Sequence, residues 1–565
     1  MPEDILLQVR RPAQYIGREW NAPARDFGSA DIRIAMCFPD LYEVGMSNLG
    51  IRILYGLLNR RPKAACERFF SPDTDLEKIL RESGRSIASL ESQSKLSDFD
   101  LVGISLPSEL CYTNVLNILD LGLIPLKSAE RDNRFPLIIG GGPCTLNPEP
   151  MHEFFDLFLV GEGEDALLEI VDTYEGLHSA YKDSKVSKTE LLARLSGIPG
   201  VYIPSLKGSR TRIMKRTVKD LDSAYFPKEW LVPYTQIIHD RVTLEIMRGC
   251  PNRCRFCQAR TQYFPFRIRK PESICALAAE TYKLTGYEEV SLTGLSVSDY
   301  PGIEALSCRL MELFEGRGVG LSLPSMKARS YAGGLSAIIA KVKKTGLTFA
   351  PEAGSQRLRE CLAKDFNEDE FFDALRKAYE SGYRRVKLYF MIGIPGENEE
   401  DLDEIIRFST RVSELRREVS GRPAEVNVSI NTLIPKPHTA FQWAGMSSPE
   451  EIKNKQDYLK SKNRNRRLKL NFHDRHAAFI EGVLSRGDRC LSRVILEAFK
   501  SGARFDAWSS HFSFPRWLEA FASCGVCAEG YLKEKSPEGD LPWDFIDPGL
   551  SKGELAAEFK KIVAI

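Results

Sequence analysis

The chain has 565 residues, with 78 basic side chains set against 77 acidic ones and 43% of its residues hydrophobic. That length exceeds one ordinary hydrophobic core and implies roughly two to four domains, and a net charge of +1 excludes a function carried by bulk charge. The opening MPEDILLQVRRPAQ mixes charges into its first residues, and no later stretch is apolar for long enough to span a bilayer, so a cytoplasmic protein without membrane contact is expected.

In chain order, residues 1–30 read as an N-terminal arm. From 31 to 172 the apolar runs IRIAMCFPD, DLVGISLP, PLIIGGGP and LFLVGEGE end in small or turn residues and alternate with helical patterns such as Leu49 to Leu58 and Glu109 to Leu121. That rhythm predicts an α/β domain with a doubly wound parallel sheet. Residues 173–240, which include the polar YKDSKVSKTE, are expected to be a linker segment. A second α/β series over 241–443 offers strands at VTLEIM, EEVSLTG, VGLSLPS, LTFAPE, RVKLYFMIGIPG and EVNVSINTLIP, and so a partial parallel (β/α)6 barrel. Residues 444–565 are expected to form a mainly helical C-terminal domain.

Thirteen cysteines in a chain without a secretion signal are expected to be mostly reduced thiols, and a tight group of them a metal or redox site. Cys250, Cys254 and Cys257 form such a group, spaced C-x3-C-x2-C directly after VTLEIM. Loops at that end of barrel strands converge over the mouth, where active sites are built. Iron–sulfur cubanes usually take four cysteines, so three leave one iron free for a ligand that is not protein. On the residues alone, a zinc site completed by a distant histidine is the alternative.

The motif, with Phe256 before its last cysteine, resembles that of the radical S-adenosylmethionine (SAM) superfamily. The resemblance implies a 4Fe-4S cluster on the three cysteines, with SAM chelating the open iron. It implies one-electron cleavage of SAM to methionine and a 5'-deoxyadenosyl radical that abstracts hydrogen from an unactivated carbon, and an electron donor of the flavodoxin or ferredoxin type. By the same resemblance, Thr293 and Gly294 stand at the turn for the methionyl group, although the usual Gly-Gly-Glu is absent. Glu352 and Ser355 in APEAGSQRLR stand near the nucleoside, and Ile394, Pro395, Gly396 and Glu397 form the adenine-binding turn. Read from the residues alone, Glu352 is equally a surface or capping carboxylate, and the glycine turn only a turn.

The first domain resembles the cobalamin-binding fold that precedes many such barrels. Asp40, Tyr42 and Gly45 repeat its D-x-H-x-x-G motif with tyrosine in place of the cobalt-binding histidine, and Ser105, Gly140, Gly141 and Gly142 fall where that fold meets the nucleotide tail. A tyrosine would have to lose a proton near pKa ~10 to bind cobalt comparably. Two expectations therefore stand: cobalamin bound without a protein ligand below the cobalt, or a domain that positions substrate. VGMSNLGIRILY, IIGGGPCTLNPEP, SINTLIPKPHTAFQW and LPWDFIDPG extend the resemblance, to radical SAM proteins carrying such a domain, over nearly the whole chain. It implies C–H functionalisation of an RNA, protein or small-molecule substrate, with methylation relayed through cobalamin as the leading form. The alternatives are a modification without cobalamin and a non-catalytic iron–sulfur sensor or scaffold.

Four smaller features each have two readings. LKSKNRNRRLKL, from Leu459, is a phosphate-contacting strip or a solvated helix face. Cys524 and Cys527 are incidental thiols, or a redox pair or auxiliary-cluster ligands. His438 acts on substrate or holds a loop. Lys387 and Tyr389 share one face of their strand, toward the lumen or toward the helices.

Overall fold

The computed structural model describes residues 2–206, 208, 211–324, 327 and 347–563. Its first sheet contains β1 (Ile32–Phe38), β2 (Ala64–Phe70), β3 (Leu101–Ser105), β4 (Leu137–Gly141), β5 (Leu157–Leu159) and β6 (Val201–Tyr202), in the order β2-β1-β3-β4-β5-β6. The first five are parallel and β6 runs antiparallel to β5. Apolar residues alternate along β1, Ile32, Ile34 and Met36 entering one core and Ala35 and Cys37 another, so the sheet is covered on both faces as a doubly wound sheet must be. The order reverses between β1 and β3, and ligands in such sheets bind at the carboxyl ends of strands beside that reversal.

The expected boundary at residue 172 falls inside a continuous helix, Glu164–Lys182. A second helix, Lys188–Leu195, and β6 follow, so residues 173–202 complete the first domain instead of linking it onward. The C-terminal region is not separate either. Its helices Arg475–Ser485, Leu491–Lys500 and Phe514–Ser523 bury Ile480, Ile495 and Trp517 in the same core as Val102, Ile104 and Leu116 of the first domain.

The barrel strands form two parallel sheets. One holds β7 (Val242–Glu245), β8 (Glu289–Thr293) and β9 (Gly320–Ser322) in the order β9-β8-β7; Ser325, the last residue of the expected third strand, lies outside the described residues. The other holds β10 (Leu347–Glu352), β11 (Arg385–Ile392), β12 (Glu425–Thr432) and β13 (Leu468–Phe472) in sequential order. β13 is a seventh strand, drawn from the region expected to be helical. Val386, Leu388, Val426 and Val428 face the helices, which leaves the intervening residues on the concave side.

A smaller apolar cluster lies under the cysteine loop, where Phe256 packs against a group that contains Ile394, Trp443 and Trp543. Trp543, in the C-terminal LPWDFIDPG, is fully buried and donates its indole N–H to Gln442 Oε1 at 2.7 Å. Trp543→Ala is expected to destabilise the chain by about 3–5 kcal/mol through the cavity it leaves, read by chemical denaturation, and to shorten the retention of iron by the loop above it.

Candidate functional site

The cysteine loop is shaped by Gly249 and tied to the far strands. Gly249 has φ +83°, and a Cβ there would come within 2.7 Å of the Tyr263 carbonyl oxygen, so only glycine lets the segment 263–266 close over it. The Arg255 backbone N–H donates to Leu362 O at 3.0 Å and its guanidinium to Cys361 O at 2.7 Å, while Ala440 N donates to Arg255 O at 3.2 Å. The loop following β7 is thereby held against the helix after β10 and the turn after β12.

Cys250, Cys254 and Cys257 are free, half-buried thiols within electrostatic reach of one another. Burial pushes Cys254 up to about 11, with Cys257, Glu352 and Cys250 adding to it against Lys364. Burial also raises Cys257, although the backbone N–H groups of Arg260 and Ala259 oppose the shift. Among the described residues no three His, Cys, Asp or Glu side chains converge on one ion. A mononuclear zinc site needs that convergence, whereas in a cubane each thiolate takes its own iron.

Asn252 reaches both a thiol and a fixed network. Its amide donates to Cys250 Sγ at 3.2 Å and to Asp299 Oδ2 at 2.8 Å, and its carbonyl accepts from Lys327 Nζ at 2.7 Å. Burial works against the charge of Asp299, yet hydrogen bonds from Ser296, Asn252 and Lys327 carry it down to about 2. Glu352 ends β10 with φ +70°, an uncommon conformation for a residue with a side chain. Burial raises its carboxyl above the usual range despite Lys364 at 3.3 Å, and its charge is felt at Cys254 and Cys257.

The other expected SAM positions hold structural contacts. Ser355 caps the helix Gln356–Cys361 and donates to Asp401 at 2.5 Å. Ile394 is buried with Phe256, and Gly396, at φ +76°, accepts from Arg357 at 3.0 Å. Glu397 accepts from Gly393 N at 2.8 Å and Lys455 at 2.5 Å, which closes the turn.

A cavity of about 560 Å³ separates the two domains. The strand ends Ser105 and Gly141 form its first-domain wall with Gly103 and Gly142, and Thr293 and Gly294 its barrel wall with Glu245, Met247 and Arg248. Gly141 has nothing within 4 Å of where a Cβ would stand, so its missing side chain keeps the wall low. Gly294 is fixed by the opposite constraint, because a Cβ would meet Met247 Cγ at 2.3 Å.

The motif Asp40, Tyr42 and Gly45 does not reach this cavity. Tyr42 is 2% exposed, donates to Glu19 Oε1 at 2.9 Å, and burial holds its phenol far above its ordinary pKa. Asp40 accepts from the Trp508 indole at 2.9 Å, and the Phe70 ring would stand 2.2 Å from a Cβ at Gly45. These three residues pack the first domain. Among the described residues lining the cavity there is no histidine or cysteine, so no imidazole or thiolate donor stands ready for cobalt.

Residues 50–204 match the family described as radical SAM proteins, N-terminal, and residues 244–409 match the radical SAM superfamily. An uncharacterised protein of Methanocaldococcus jannaschii is 30% identical over 502 residues, 87% of this chain and 97% of that protein. The chain belongs to the radical SAM superfamily. An uncharacterised methyltransferase of Pyrococcus horikoshii is 24% identical over 332 residues, 56% of this chain and 65% of that one. The cobalamin-dependent SAM radical enzyme OxsB, solved with aqua-cobalamin and SAM, shares the fold, with a TM-score of 0.50 at 14% identity over 94% of this chain and 78% of its own.

As a radical SAM enzyme the chain uses a 4Fe-4S cluster and SAM, and three cysteines on one loop are a donor set that fits the cluster. His438, by contrast, is a loop residue: it is buried, faces the Leu146 carbonyl oxygen at 3.1 Å through Nε2, and burial lowers it to about 4. Cys524 is half-buried and Cys527 exposed, and they belong to no group of metal-holding side chains among the described residues. Asn252, Asp299 and Lys327 are additions to the expected site. A hydrogen bond to a cluster thiolate favours the electron-richer state, so Asn252→Ala is expected to lower the cluster's midpoint potential by about 40 mV, corresponding to about 1 kcal/mol. Potentiometric titration at unchanged iron content checks it, and an unaltered potential would reduce Asn252 to a loop brace.

Proposed function

We propose that this radical SAM enzyme methylates an unactivated carbon of its substrate and that the interdomain cavity receives cobalamin. The observation that carries this reading is position: one cavity touches the carboxyl ends of β3 and β4 and also Met247, Arg248 and Gly249, the residues that run directly into Cys250. Its glycines allow a flat ligand to approach the backbone. Ser105, Gly103, Gly141 and Gly142 would hold that ligand from one side, Thr293, Gly294 and Met247 from the other.

When bound, the cluster supplies one electron, SAM the radical and the methyl group, and cobalamin the methyl carrier. Asn252 orients Cys250, Glu352 sits beside the thiols as a carboxylate that gains a proton easily, and Phe256 shields the loop from below. A flavodoxin- or ferredoxin-type electron donor and a cytoplasmic setting complete the proposal; no described helix is long and apolar enough to cross a membrane.

The test is anaerobic reconstitution with iron, sulfide and hydroxocobalamin, then desalting, metal counting and a dithionite assay for 5'-deoxyadenosine. About four irons and about one cobalt per chain are expected. Iron and turnover without cobalt would sink the cobalamin reading and favour a modification without it. Iron without 5'-deoxyadenosine would favour a sensor or scaffold.

A further inference from the structure

The four-stranded sheet of the barrel points its carboxyl ends at the cysteine loop, and its opposite rim is mostly basic, with Glu425 the acidic residue that opens β12. Arg384 precedes β11, Arg385 opens it and Lys387 follows two residues on. Arg422 stands just before β12. Arg464, Arg466 and Arg467 lead into β13, where Lys469 is the second residue. All of these side chains are exposed.

The register brings these three segments together. Lys387 stands opposite Asn427, and Asn427 opposite Lys469. Glu425 N donates to Arg384 O at 3.2 Å, and Val426 N to Arg467 O at 3.0 Å, so the strand starts lie side by side. Neighbouring strands are about 4.8 Å apart, which puts β11 and β13 about 10 Å from each other.

Arg385 pairs with Glu425 at 3.4 Å, and among the described residues no ion pair neutralises the others on the rim. The run LKSKNRNRRLKL is therefore not one solvated helix face. Its first two lysines, Lys460 and Lys462, sit on the helix Pro449–Lys462 and pair with Asp457 and Asp403, while the rest turns onto the sheet rim. In a chain with a net charge of +1 this is a local surplus.

Above the rim, the concave face is neutral and polar. Tyr389 lies beside Ser429, and Ser429 beside Asn471, with Asn427 one layer below and Asn431 one layer above. Lys387 Nζ lies 4.8 Å from the centre of the Tyr389 ring, which leaves an aromatic surface beside a cation. From Lys387 to the carboxyl end of β11 is about 16 Å along the strand, and Glu352 ends the neighbouring strand there.

We propose that this rim is an RNA-docking surface, and that the polar face above it guides a single-stranded segment toward the cysteine loop. Arginine dominates the rim, and its planar fork matches phosphate oxygens in pairs. The face above offers amides, a hydroxyl and an aromatic ring, groups that suit base edges and base stacking. An acidic electron-donor protein would instead have to dock near the cysteines, at the other end of the strands. Docking stands apart from the methylation reading, which it needs only for what happens to the RNA once presented.

The experiment is fluorescence anisotropy of the full chain with labelled oligouridylate of about 20 nucleotides, between about 50 and 200 mM salt. Four to five phosphate contacts predict a log–log salt slope of about −3 to −3.5. Reversing Arg464, Arg466 and Arg467 together to glutamate is expected to weaken binding at least tenfold and flatten the slope. The triple change Lys78→Glu, Lys185→Glu, Arg194→Glu, with the same loss of charge on the first domain, is expected to stay within about twofold. Tyr389→Leu tests the face above the rim, with an expected loss of about tenfold from one stacked base. Thermal melting and iron content report whether each variant is folded. Equal losses in the two triple variants, or binding of polyglutamate with none of oligouridylate, would overturn the proposal, the latter in favour of an acidic protein partner. Because binding is read without SAM, RNA bound by a preparation that makes no 5'-deoxyadenosine leaves docking standing while the methylation reading falls.

Discussion

Cys254→Ala is expected to reduce bound iron to background and to abolish SAM cleavage while the chain stays folded. Each cysteine supplies one iron of the cubane with a thiolate, so losing one leaves two irons without protein ligands. The same substitution has a second, metal-free readout. An unfolded thiol ionises near about 8.5, but burial holds Cys254 at about 11 in the folded chain. Its folded pKa is raised, so the neutral thiol's contribution is fully present below about pH 8.5 and is lost as pH climbs toward 11, by about 2–3 kcal/mol. Iron-free wild type should lose melting temperature over that window, and the alanine variant should lose less. Cluster assembly needs the thiolate, so its rate in the wild type is expected to rise from pH 7 to 8.5. Iron retained by Cys254→Ala would falsify the assignment of this loop.

Much of the architecture was legible because burial leaves a pattern. Most strands of the three sheets announce themselves as apolar runs ending in small residues, β2 with its central Glu67 and Arg68 excepted, and C-x3-C-x2-C marked the candidate site from spacing alone. β13 escaped because Leu468, Leu470 and Phe472 alternate with Lys469 and Asn471 inside a basic run, where charge masks a period of two. The helix Glu164–Lys182 ran past the expected boundary because polar residues at its end face water without breaking it. Contacts across large separations left no local trace: Asn252 meets Asp299 and Lys327 within the barrel, and Glu162 meets Arg248 between the domains. Tyr42 shows the reverse: the position where the motif has histidine holds a buried phenol that donates to Glu19.

Arg248→Met is expected to be strongly damaging, because Arg248 joins the domains at the base of the cluster loop. Its guanidinium donates to Glu245 at 2.9 and 2.8 Å and pairs with Glu164 at 2.7 Å and Glu162 at 3.2 Å. All four side chains are 13% exposed or less. Burial alone would disfavour the charge on Arg248, but the three carboxylates reverse that and hold it firmly protonated. Methionine keeps the bulk and removes the charge, leaving Arg267, at 2.6 Å from Glu162, as the cation that pairs with this group. Breaking a buried ionic group by removing one partner costs about 3–5 kcal/mol, because the remaining charges stay desolvated. The loss should depend on pH in a definite direction. In the variant a freed carboxylate has its folded pKa raised, so acidification lets it take up a proton and relieves the strain. The melting-temperature gap between variant and wild type is therefore expected to be wide at pH 8 and narrower at pH 5. Glu162 and Glu164 belong to the first domain, so the variant should also separate the domains near the cavity and shed iron faster on desalting. A gap that is the same at both pH values would show that Arg248 acts by packing, and would remove the electrostatic clasp between the first domain and the cysteine loop.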